Sequence, residues 1–151
     1  MKLFFHLITL IFITLISTTL SASNPADWET YFENDSIKIE YTYMNCIYTE
    51  QFDSEFVILK ISNYTNDNIT IEWKEELWYE NNCINCESNS TEHNKQITIS
   101  GNAFSKGDCI KQSHLRIFSK FTEELSKMNG VEEIISLTNF QLININIKKD
   151  E

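Results

Sequence analysis

The chain has 151 residues, 42% of them hydrophobic and 13% aromatic, with a formal net charge of −10. This length suits one domain that buries most of its apolar surface. The acidic balance disfavours nucleic acid and anionic membranes as partners.

Residues 1–23 carry one charge, Lys2, then an apolar run over 3–16 and a small polar tail. That pattern predicts a signal peptide, since the apolar core is short for a bilayer span. Ser21 and Ser23 suit the small-residue positions before a cleavage site, so a cut between Ser23 and Asn24 is expected. An uncleaved anchor is the competing reading. No cysteine lies near the cut, which excludes attachment through a lipidated cysteine. The expected product is one domain, 24–151, soluble, secreted or periplasmic, with no membrane insertion after cleavage.

Residues 28–33 read as a first strand through Trp28, Thr30 and Phe32, in preference to a short helix after Asn24-Pro25. Ile37, Ile39, Tyr41 and Tyr43 alternate into a second strand that closes at Cys46. Next, Val57, Leu59 and Ile61 share one face, with Phe56, Ile58 and Lys60 on the other. Ile69, Ile71 and Trp73 alternate in the same way with Thr70, Glu72 and Lys74. The polar turn 63–68 between these runs predicts a β-hairpin. At Glu75-Glu76 strict alternation would turn a carboxylate inward. A bulge that resets the register before Leu77-Trp78-Tyr79 is therefore expected.

The polar, aperiodic stretch 81–95, with Cys83, Cys86, Asn89 and His93, reads as the longest loop. A short strand over 96–100, a turn at Gly101-Asn102 and a return strand over 103–110, broken by Gly107, follow. The next strand has Leu115, Ile117 and Phe121 on one face and Arg116, Phe118 and Lys120 on the other. Residues 122–129 form a crossover with a helical turn ended by Asn129-Gly130. The stretch 131–137 is ambiguous, 140–147 is an Ile-rich closing strand, and 148–151 is a charged tail. Seven to nine strands and no long helix predict an all-β fold, a single antiparallel immunoglobulin-like β-sandwich, with a barrel as alternative.

The runs IKIEYTYMNC, EFVILKISNYTNDNITIEW, ELWYENNCINC, GDC and LRIF resemble those of small secreted bacterial proteins with an immunoglobulin- or fibronectin-like sandwich. The resemblance implies a fold and an exported location, and brings no activity or catalytic residue.

Four cysteines in an exported chain imply disulfides first. Counting strand directions up and down gathers Cys46, Cys83, Cys86 and Cys109 at one end of the sandwich. Cys46–Cys109 with Cys83–Cys86 is slightly preferred, and a bridge from Cys46 to Cys83 or Cys86 is close behind. Cys83-Ile-Asn-Cys86 also has redox spacing, but it lacks the helix N-terminus that stabilises a thiolate. A zinc set of Cys83, Cys86, Cys109 and His114 has the right ligand types, yet it would leave Cys46 unpaired. His93 reads as a solvated loop residue.

The carboxylate pairs Glu75-Glu76, Glu123-Glu124 and Glu132-Glu133 are adjacent in sequence, and on a strand such neighbours point to opposite faces. Ser113-His114 lacks a nucleophile elbow. The oxygen-rich patches 53–55, 66–68 and 129–133 lack calcium-loop spacing. No catalytic residue, metal or cofactor is expected. Tyr48 and Trp78 are candidate surface aromatics for a protein or glycan partner. The sequons at Asn34, Asn63, Asn68 and Asn89 all fall in predicted turns or strand edges, where a glycan could be accepted.

These readings converge on an exported, non-enzymatic, monomeric binding or accessory protein of the cell envelope or extracellular space. The rival is a thiol-active or metal-dependent protein that uses the Cys83/Cys86 loop.

Overall fold

The structure, a computed structural model, describes residues 27–49, 51–111 and 113–149. The expected signal peptide, 1–23, lies outside the described residues. Nine strands follow in order: β1 (Glu29–Glu33), β2 (Ile37–Cys46), β3 (Ser54–Asn63), β4 (Ile69–Tyr79), β5 (Asn82–Cys83), β6 (Asn94–Ile99), β7 (Phe104–Lys106), β8 (Arg116–Phe121) and β9 (Leu137–Lys149). One sheet has the order β1-β2-β3, with β7 and β8 on the far side of β3; the other places β4 between β5 and β6 on one edge and β9 on the opposite edge. Every pairing is antiparallel. Two separate sheets make this the all-β sandwich read from the sequence and set the barrel aside.

The β-hairpin expected around the 63–68 turn is not formed. β3 and β4 belong to different sheets, so 63–69 is an arch across the core. Period-two alternation shows that each strand has one apolar face. It does not say whether consecutive strands lie side by side or face to face. Here they face each other, and Val57, Leu59 and Ile61 join Ile69, Ile71 and Trp73 in one buried cluster with Ile37, Ile39 and Leu142. β3 forms its hairpin with β2 instead, in a register that runs unbroken from Ile37↔Asn63 to Cys46↔Ser54.

Asn63 holds the arch. It is 1% exposed. Its Nδ2 donates to the carbonyls of Asp67, Ile99 and Ser100 at 2.8, 3.2 and 3.0 Å, and its Oδ1 accepts from Thr65 N and Oγ1. The sequon at Asn63 is therefore closed in the folded chain, contrary to the sequence expectation; Asn34, Asn68 and Asn89 are exposed.

A second correction concerns Glu75. β4 keeps strict alternation through it, so the expected bulge there is absent and the carboxylate turns inward. The irregularities sit in the partner strand. Asn144 and Ile145 of β9 oppose Trp73 alone, and Thr138 is the extra residue near its start. Asn144 takes up the first bulge in the left-handed region, at φ 55°. The remaining differences are smaller. Lys148 and Lys149 belong to β9, not to a tail, and 81–95 contains β5 and a 3-10 turn at Thr91–His93.

Candidate functional site

β8 carries one extra residue against β3: Phe56 faces Phe118, Glu55 faces Lys120 and Ser54 faces Phe121. The bulge buries Ser119, whose hydroxyl donates to Glu55 Oε1 at 2.8 Å. It also turns Phe121 to the outer side with Phe118, whereas plain alternation placed Phe121 with Leu115 and Ile117. Phe118 and Phe121 ring centroids then lie 5.0 Å apart. Phe56 is 5.7 Å from Phe118, and Phe52 is 5.7 Å from Phe121. These edge-to-face contacts are those that aromatic quadrupoles favour.

Together with Thr49, Gln51 and Ser54, these four phenylalanines line a hollow of about 730 Å³ on the outer face of the first sheet. Phe118 and Phe121 also wall a second hollow of about 420 Å³, shared with Tyr79, Ile84, Glu133 and Ile135. The two make one apolar groove that wraps the β8 edge. Its floor is fixed by Tyr79, whose hydroxyl crosses between sheets to donate to the Phe118 carbonyl at 2.6 Å. Burial pushes the Tyr79 phenol up to about 12, so it stays protonated as the donor. Arg116 stacks over Phe56 at 5.1 Å.

The cysteines frame this end of the molecule. Cys46–Cys109 and Cys83–Cys86 are both bonded, with Cα separations of 5.5 and 5.8 Å. Cys46 faces outward beside Ser54, which in turn pairs with Phe121. Between β7 and β8 the chain makes an excursion, and the first bridge pins its residues 108–111 to the outer face of the sheet. Tyr48 Oη and Arg116 both donate to the Cys109 carbonyl there. Outward-facing Ile58, Thr42 and Cys46 are all buried. Ile84, between the cysteines of the second bridge, reaches the groove beside Phe121. Both bridges thus sit toward the same end, as strand counting required.

Bonding in these pairs occupies every sulfur of the zinc set Cys83, Cys86, Cys109 and His114. Among the described residues no group of three metal-ligating side chains converges. Two disulfides are those of a chain that folds in an oxidising compartment. No helix among the described residues is long and apolar enough to cross a membrane.

Tyr48 and Trp78, the candidate surface aromatics, are each half-buried. Tyr48 lies against Cys109, whereas Trp78 lies on β4, whose edges there pair with Cys83 and Asn139. The phenylalanine groove was missed as a site, although its signal was present. Phe56 and Phe118 occupy the non-core faces of their strands.

Strict alternation offered an inward carboxylate at Glu75, and the expected bulge wrongly set it aside. Glu75 is 4% exposed, and its Oε1 and the neighbouring Trp73 Nε1 have no hydrogen-bond partner among the described residues. Burial raises its pKa to about 7. Lys95, whose Nζ is 3.9 Å from Oε2, works against that rise, as does the nearby Trp73 indole.

No protein-family description, curated protein or solved structure matches the chain.

Proposed function

We propose that this chain is an exported, monomeric β-sandwich that works by binding, without a catalytic step, and that it takes an apolar segment of a protein partner into the phenylalanine groove. The observation that carries this reading is the groove itself: four phenylalanines gathered outside the core by a bulge at Ser119. Contiguous apolar surface rimmed by polar residues marks interaction sites on soluble proteins. Phenylalanine walls favour a protein segment over a glycan, since sugar recognition needs fixed hydrogen-bond donors and acceptors beside the stacking ring. The two disulfides and the amino-terminal signal pattern support a periplasmic or extracellular setting, and the strand pattern is similar to that of small secreted bacterial sandwiches.

The test is affinity capture from envelope extracts by immobilised 24–151, compared with the double variant Phe118→Ser/Phe121→Ser and with Trp78→Ala. Partners retained by the wild type and Trp78→Ala and lost by the double variant support the groove. Equal capture by all three removes it from the binding surface.

A further inference from the structure

Along one edge of β4 a short stretch has no strand beside it among the described residues. β6 pairs as far as Lys74↔Asn94, and β5 begins at Trp78↔Cys83. The side chain of Asn85 fills the gap. Its Oδ1 accepts from Leu77 N–H at 2.8 Å, and its Nδ2 donates to the Glu75 carbonyl at 2.9 Å. These are the two bonds that an adjacent strand would supply. Ile84 N–H adds a bond to the Leu77 carbonyl at 3.0 Å. Asn85 is 3% exposed, while its neighbour Ile84 is 60% exposed and lines the groove with Phe118 and Phe121.

A single covalent bond, Cys83–Cys86, closes the backbone around both residues. We propose that this bridge is a reducible latch on the groove: an external dithiol opens it, Asn85 leaves the β4 edge, and Ile84 withdraws from the groove wall. The latch rests on the groove being the binding surface.

Three observations select this bridge over the other. Cys46 is 1% exposed on the sheet face that 108–111 covers and only its partner Cys109 is half-buried, whereas Cys83 and Cys86 are both half-buried and border a surface hollow of about 290 Å³. A bridge that spans so few residues removes little entropy from the unfolded chain, so losing it leaves the fold largely intact. Cys86 N–H donates to Cys83 Sγ at 3.0 Å, which favours Cys83 as the departing thiolate.

The exchange then proceeds in two steps. A thiolate of the dithiol attacks Cys86 Sγ, forming a mixed disulfide and expelling Cys83 as thiolate. The second thiol of the reductant displaces Cys86, so the reductant leaves as a disulfide. The chain has gained two electrons and, after protonation, two thiols.

The test uses the intact folded chain titrated with dithiothreitol, followed by alkylation and peptide mapping, amide hydrogen exchange and Nile red binding. Expected first is alkylation of Cys83 and Cys86 while Cys46–Cys109 remains closed. With it the Leu77 amide should lose at least tenfold in protection while that of Leu59 is unchanged. The variant Cys83→Ser/Cys86→Ser should show the same exchange pattern without reductant. Opening of Cys46–Cys109 first, or unchanged protection at Leu77 after reduction, would overturn the latch. Dye binding that falls on reduction supports control of the groove, and equal binding in both forms overturns that control. No binding in either form overturns the groove reading instead.

Discussion

Glu75 Oε2 lies 3.9 Å from Lys95 Nζ inside the second sheet, while Glu75 Oε1 has no hydrogen-bond partner among the described residues. A carboxyl so placed binds its proton more tightly folded than unfolded, with a pKa near 7 against an ordinary 4.5. The native state therefore holds more protons between those values, and stability falls as pH rises through them. The full penalty is about 3 kcal/mol above pH 7 and vanishes below about pH 4.5. Glu75→Gln removes the titration. Urea unfolding at pH 4 and pH 8 should show its stability relative to wild type rising by about that amount at the higher pH. A pH-independent difference would show that Glu75 ionises normally.

Asn63 should be the most costly polar side chain to lose. Asn63→Ala leaves the carbonyls of Asp67, Ile99 and Ser100 and the groups of Thr65 without their partner. A loss of about 2–4 kcal/mol is expected from chemical denaturation. Gly101→Ala should be comparably severe, because a Cβ there would overlap the Asn66 carbonyl on the same arch.

Cys46→Ala/Cys109→Ala should cost about 2–5 kcal/mol. It should also free residues 108–111 from the outer face, so the Ile58 amide region gains exchange while the inner residues of β4 do not. Uniform loss of protection throughout the molecule would argue against a local role.

Tyr79→Phe keeps the ring and removes one hydrogen bond to the Phe118 carbonyl. A loss of about 1 kcal/mol is expected, measured as a shift in the denaturation midpoint. Partner capture should weaken more than this small change in stability explains, because the β8 edge is no longer held from behind.

The strand faces were legible in the sequence because apolar alternation is dense in 37–43, 57–61 and 69–73, and strand direction gathered the four cysteines at one end without choosing their pairing. Three things were not legible. Alternation is identical in a hairpin and an arch, so the β3–β4 connection was misread. A bulge leaves its mark on whichever strand carries the extra residue; at Glu75 the sequence invited one in β4, and β9 carries it at Asn144. At Ser119 a polar residue in an aromatic strand was the only hint that Phe121 would turn outward. The groove depends on that turn.

The long β4 ladder against β9 joins Ile69 to Lys149 and Tyr79 to Leu137. Tyr31 of β1 ties the other end of the fold to β9, its hydroxyl accepting from Leu142 N–H at 2.7 Å. During synthesis the β2–β3 hairpin can close early, but β4 must wait with one edge open while β5 to β8 emerge. Sequence-distant pairing of this kind slows folding and leaves a strand edge exposed to aggregation. A chain that stops before β9 would present that edge permanently, so premature termination should produce an aggregating species instead of a shortened binder.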